Sequence, residues 1–190
     1  MADLNTVVNG DSTACRGAAG WLGKVASGVD SNRDAIAKAQ TDSDACWQGT
    51  AADGFRNHIG QMASDADGLA ASALTAQQAL TKFADELDTV NARMNQARLV
   101  AEAAGLAVTP SGIEGPGSAP THRQGPMGGQ EAVEFFQAHL RYTTQVQAFS
   151  EAQATVTEAR GLEAQAHANV TPPMQEADNT VQALVTISSN

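Results

Sequence analysis

Apolar residues recur at alternating steps of four and three from Phe55 onward: Phe55, Ile59, Met62, Ala66, Leu69, Ala73, Ala76, Leu80, Phe83, Leu87, Val90, Met94, Ala97 and Ala101. A four-three repeat is the mark of one stripe on a helix that packs against other helices. No charged residue interrupts it, so the spacing predicts a single helix from Thr50 to Ala104, with Gly105 as its stop. At a rise of about 1.5 Å per residue that helix runs roughly 80 Å. A weaker stripe (Cys15, Ala18, Leu22, Val25, Val29, Ile36 and Ala39) predicts an earlier helix over about Ser12 to Cys46. Glycines at positions 17, 20, 23 and 28 weaken its first half or let a second helix come close.

Between the two stripes lies ACWQGTAADGF, residues 45 to 55. Gly49 suits the left-handed backbone that ends a helix. Thr50 can then cap the next helix, with Asp53 three residues on completing a capping box in place of the commoner Glu. The expected result is a helix–turn–helix corner with Trp47 at its tip, its indole over Phe55. The triplet Trp21-Leu22-Gly23 has the same form, but no capping residue directly follows Gly23 and the apolar pattern continues through it. Trp21 is therefore expected on a face of the first helix.

After the long stripe, residues 105–129 contain seven Gly and four Pro, which excludes regular structure over most of the stretch. Leu106, Val108 and Ile113 can still lie against a helix. A third helix is predicted from about Gln130 to Ala168, with Phe149, Ala152, Val156, Ala159, Glu163 and Ala166 on its better stripe and Phe136 and Leu140 starting an offset one. Thr171-Pro172-Pro173 supplies a cap followed by proline, which predicts a fourth helix to about Ser188. The fold class is all-α: an elongated antiparallel bundle, one structural unit with a hairpin over 1–104, a Gly/Pro-rich linker over 105–129 and a second helical pair over 130–190. The first helix is too short to cover its partner. The distal stripe, Phe83, Leu87, Val90 and Met94, then needs the later helices or another chain, because a bare stripe of that length invites aggregation.

Composition narrows the possible functions. Aromatic residues make up 4%, so the helices must approach around small side chains. A net charge of −10 argues against a nucleic-acid partner, and no apolar run nears the roughly 20 residues that span a bilayer, so membrane insertion is not expected. The first residues, MADLNTVVNGDST, have neither the basic nor the apolar region of a general secretory signal. Cys15 and Cys46 on one helix would stand roughly 46 Å apart at about 1.5 Å per residue, so they are expected as buried free thiols. His58, His122, His139 and His167 are scattered and match no metal-ligand spacing, and no paired carboxylates or phosphate-binding loop stand out. Neither an enzyme nor a metal or other cofactor is expected.

A helix of some 30 residues, a Trp-x-Gly turn and an amphipathic helix with small and aromatic residues at set offsets resembles the WxG superfamily of type VII (ESX) secretion substrates. The residues that carry the likeness are Trp47, Gly49, Ala51 and Phe55, within a similarity spanning roughly residues 10 to 104. The longer layout looks like the larger actinobacterial members, the PPE-like proteins and the N-terminal trafficking domains of secreted polymorphic toxins. The resemblance implies signal-peptide-independent export as a folded, non-enzymatic hairpin, cytoplasmic before export and paired with a small helical WxG- or PE-like partner, with a toxin domain beyond residue 190 as one variant. It assigns recognition to the corner: Trp47 and Gly49, held by Thr50 and Asp53, with Phe55 beneath. Many exported pairs carry Tyr-x-x-x-Asp/Glu after a hairpin. Here Tyr142, the only tyrosine, is followed four residues on by Val146, so the partner would supply that signal. The alternatives are a self-assembling secreted structural or ring-forming protein and an intracellular coiled-coil scaffold.

Overall fold

A computed structural model describes residues 2–122, 125 and 128–188, without the side chains of Ile187 and Ser188. Six elements follow in order: β1 (Leu4–Asn5), α1 (Ser12–Cys46), α2 (Thr50–Ala103), β2 (Val108–Thr109), β3 (Gly112–Ile113) and α3 (Gly129–Ser188). The protein is all-α in class, as expected. Its chain divides into two compact units, one of Met1–Gly10 with Glu86–Gln165 and the other of Asp11–Asp85 with Ala166–Asn190. The division falls within α2 and α3 and not at the glycine-rich stretch, because the N-terminal residues and the segment after α2 fold onto the same part of those helices.

In the first unit the predicted stripes meet. Val90, Met94, Ala97 and Ala101 of α2 form one buried cluster with Phe149, Ala152, Val156 and Ala159 of α3. Arg93 pairs with Glu158, and Gln145 donates to the Gly105 carbonyl, so α2 and α3 run antiparallel here. α2 ends as Gly105 predicts. With φ at 76°, its N–H bonds to the Glu102 carbonyl (2.9 Å) and the Leu106 N–H to that of Ala101 (3.0 Å), a Schellman closure that turns Leu106 back into the core. Ile113 is fully buried and Val108 half-buried in the same cluster, as their apolar character suggested.

A three-stranded sheet too short to read from the sequence joins them, in the order β1-β3-β2 with both pairings antiparallel. Its two-residue strands carry no alternation to detect. Gly112 makes the pairing possible: a Cβ there would lie 2.1 Å from the Leu4 carbonyl oxygen. The N-terminal residues are then fixed by side chains. Arg98 donates to Thr6 Oγ1 (2.9 Å), and Arg160 to the carbonyls of Asn5 (3.0 Å) and Val7 (2.8 Å). The buried Glu163 takes Arg160 Nη1 on one oxygen (2.5 Å) and the Asn9 N–H on the other (2.6 Å). Glu163 on an otherwise apolar stripe is thus explained: a buried carboxylate is tolerated where both oxygens are paired.

In the second unit α1 starts at Asp11, whose carboxylate accepts from the amides of Thr13 and Ala14. Ion pairs link α1 to α2 along their length: Arg16 to Asp85, Arg33 to Asp67 and Asp44 to Arg56. As the number rises on α1 its partner's falls on α2, which is the antiparallel hairpin. The covered line of α1 is Cys15, Ala19, Leu22, Ala26, Val29, Arg33, Ile36, Gln40 and Ser43. Ala18 and Ala39, expected on it, are exposed. The line takes in Arg33, Gln40 and Ser43, polar residues that a search for apolar spacing passes over. Cys15 and Cys46 are free, but the expected burial fails: Cys15 is half-buried and Cys46 exposed, since Ser43 is the last inward position of α1.

The second helical pair is a single helix. α3 continues through Pro172 and Pro173, although a proline inside a helix removes a backbone donor and costs about 3 kcal/mol. Packing on both sides outweighs that cost: His167 stands edge-on to Phe83 with ring centroids 5.0 Å apart, and Ala166 and Ala177 are buried. Of the linker, Arg123, Gln124, Pro126 and Met127 lie outside the described residues, as do Ser189 and Asn190 of the last segment.

Candidate functional site

The corner between α1 and α2 is built by three features. α1 stops at Cys46, and Trp47, its C-cap, is extended (φ −138°, ψ 127°) with its N–H still bonded to the Ser43 carbonyl. Gly49 follows with φ at 105°, a conformation that side-chain-bearing residues rarely adopt, so the chain reverses there. The Asp53 N–H then bonds to the Gly49 carbonyl (3.1 Å), which makes Gly49 itself the N-cap of α2.

That corrects the expected capping box. Thr50 is the first helical residue, so its hydroxyl cannot reach forward as a cap. The Asp53 carboxylate instead accepts from Arg56 Nη1 (3.1 Å). Arg56 is the residue the sequence reading missed. Its Nη2 donates to the carbonyls of Ser43 (3.2 Å) and Trp47, capping the end of α1 from across the turn, while its Nε lies 2.5 Å from Asp44 Oδ1. A cation at a helix C-terminus also meets the negative end of the helix dipole. The available signal was one arginine nine residues after the tryptophan, preceded by Asp44 and Asp53.

Trp47 and Phe55 come together as expected, with centroids 5.4 Å apart and planes tilted by 48°. The pair is not buried. Trp47 is 40% exposed, Phe55 37% and, two turns further along the same stripe of α2, Met62 44%. The covered line of α2 in this region is Ala52, Arg56, Ile59, Ala63, Ala66 and Ala70. Phe55 and Met62 fall one residue to its side.

The second set of expected contact residues lies elsewhere. Phe83, Leu87, Val90 and Met94 are buried by the chain's own residues. A partner cannot use them without unfolding the protein, and the expectation of a partner-packing stripe there is corrected: α3 is long enough to cover it. Trp21 sits on a face of α1, with the helix passing through it, at the rim of an apolar groove of about 360 Å³ that also includes Leu69, Ala73, Met174 and Val181. Among the described residues, no helix is long and apolar enough to cross a membrane, and no group of three or more His, Cys, Asp or Glu could hold a metal ion.

Compared with family models, with curated proteins and with solved structures, the chain matches none.

Proposed function

We propose that this chain is a targeting module for type VII secretion, a non-enzymatic helical hairpin exported in the folded state together with a small helical WxG- or PE-like partner. The observation that carries the reading is the corner. Two large aromatic side chains, Trp47 and Phe55, stay in solvent reach on a turn whose backbone is fixed by Gly49 and by the four contacts of Arg56. Exposed apolar rings on a rigid support are what a recognition surface needs, since little ordering entropy remains to be lost on binding. With Met62 they form a short apolar face against which a partner helix can lie. A secreted toxin domain beyond residue 190 is compatible with the same role.

The test is export. The chain is expressed with its genomic neighbours in an actinobacterial host, with and without the type VII ATPase, and secreted protein is compared with cell-associated protein under a lysis control. Loss from the medium only in the ATPase-deficient strain supports the reading. Trp47→Ala is then expected to abolish export while the far-ultraviolet circular dichroism and melting temperature stay unchanged. Retention inside both strains removes the reading and favours a scaffold.

A further inference from the structure

The groove beside Trp21 has the size of a small-molecule site. Three helices of the second unit line it: α1 with Trp21 and Leu22, α2 with a floor of Ser72 and Ala73, and α3 with Met174 and Val181. Its lining spans residues 69–76 of α2 and 21–25 of α1, about 10 Å and 6 Å at about 1.5 Å per residue. That is short for a partner helix. The volume of about 360 Å³ stands at the small end of the roughly 300–1,000 Å³ that ligand pockets occupy.

Ser72 says what kind of ligand fits. It is only 9% exposed, yet its hydroxyl makes no hydrogen bond among the described residues. A serine or threonine inside a helix commonly returns its hydroxyl to the carbonyl four residues back. Thr75 and Thr81 of the same helix do so, to Ala71 (3.0 Å) and Gln77 (2.9 Å). A buried hydroxyl without a partner costs free energy until a polar atom in the groove meets it. The apolar side chains around it narrow the class further. An indole and a thioether both favour an aromatic ring as neighbour. The charge on the lining comes from Asp178, which is exposed and accepts from Gln182 (2.8 Å) but forms no ion pair among the described residues. With the chain at a net charge of −10, an anionic ligand is repelled. We propose that this groove binds a small neutral aromatic alcohol, its hydroxyl paired with Ser72 Oγ and its ring against Trp21 and Met174.

The test is titration of the full chain with β-naphthol, followed by nitrogen–proton correlation NMR. The Ser72 amide and the Trp21 indole N–H are expected to shift with a dissociation constant on the order of 100 µM, while the Trp47 indole N–H stays in place. Naphthalene, which lacks the hydroxyl, and β-naphthoate, which is charged, should each bind about tenfold more weakly. Ser72→Ala should weaken β-naphthol about tenfold and leave naphthalene unaffected. Helicity and melting temperature should not fall, because no internal hydrogen bond is lost. Trp21→Ala, at a side chain 63% exposed, should weaken both compounds alike at unchanged helicity. Ser72 and Trp21 signals that do not move at millimolar β-naphthol overturn the proposal. So does a Trp47 shift as large as that of Trp21, which would mean adventitious binding to exposed rings, or a Ser72→Ala variant that binds β-naphthol as tightly as the original chain.

Discussion

The two units bury different material. The first packs Val90, Met94, Leu106, Ile113, Phe149 and Val156 into one cluster, and fixes its N-terminal strand with Arg98, Arg160 and Glu163. The second buries mostly alanine (Ala19, Ala26, Ala52, Ala70, Ala73, Ala76, Ala84, Ala166 and Ala177) with Phe83 the one large ring among its buried residues, and carries ion pairs along the hairpin. Apolar burial is worth about 25 cal/mol per Å², so large side chains make the first unit the stronger by its contacts. Alanine helices come close and lose little side-chain entropy, but each contact contributes less. The exposed corner belongs to the weaker unit, where the stripe of α2 carries residues that no helix covers.

The sharpest way to break this contrast is truncation in both places. Met94→Ala should cost about 3 kcal/mol in chemical denaturation, because a fully buried side chain leaves a cavity. The half-buried Leu22→Ala should cost about 1 kcal/mol. Equal losses would remove the distinction.

A smaller effect probes the tether of the first unit. Gly112→Ala places a methyl group where the Leu4 carbonyl stands, so β1 must detach at a cost of about 2 kcal/mol. Hydrogen exchange at the Thr6 and Asn9 amides, bonded to Ser111 and Glu163, should rise to the rate of an open segment while the Met94 region stays protected.

In the second unit, Arg56→Ala should cost about 1–2 kcal/mol by freeing the Trp47 carbonyl and removing one of the two donors to that of Ser43, and should broaden the fluorescence of Trp47. Pro172→Ala with Pro173→Ala should act in the other direction. Two restored backbone donors in a continuous helix are expected to raise stability by about 1–2 kcal/mol, read as a higher melting temperature. A loss there would mean that the prolines relieve strain in α3.

The smallest effect is at the surface of α1. The hydrogen bond from Lys38 to Asp42 (2.8 Å), and then the attraction of that carboxylate, hold the Lys38 ammonium above its ordinary range. A raised folded value means the stabilisation is present below the unfolded pKa and disappears as pH climbs through the folded one, in the alkaline range. The side chain is fully solvated, so Lys38→Ala should leave the melting temperature unchanged between about pH 6 and pH 9. A measurable drop would show that surface pairs carry more of this unit than its alanine packing allows.

Much of the helical layout was legible in the chain. The boundaries of α1, the span of α2 and the covered stripe of α3 follow from four-three spacing, because a helix repeats every few residues and a covered face must be apolar at that period. The corner was half legible. Gly49 and the contact of Trp47 with Phe55 could be placed from local rules, whereas the cap at Thr50 could not. Arg56 competes for Asp53 from one turn along the helix, and its other partners belong to α1.

By itself, then, the sequence determined which segments are helical, where two of them stop, and that Trp47 and Phe55 meet at a turn, since each of these depends on residues within a few positions of one another. Only the tertiary structure decided that α3 passes through two prolines, that strands of two residues tie the N-terminus to the segment after α2, that Phe83, Leu87, Val90 and Met94 are sealed inside, and that Phe136 and Leu140 are left outside. Those outcomes rest on contacts between residues far apart in the chain. Their energies outweigh local preference, and no local pattern announces them.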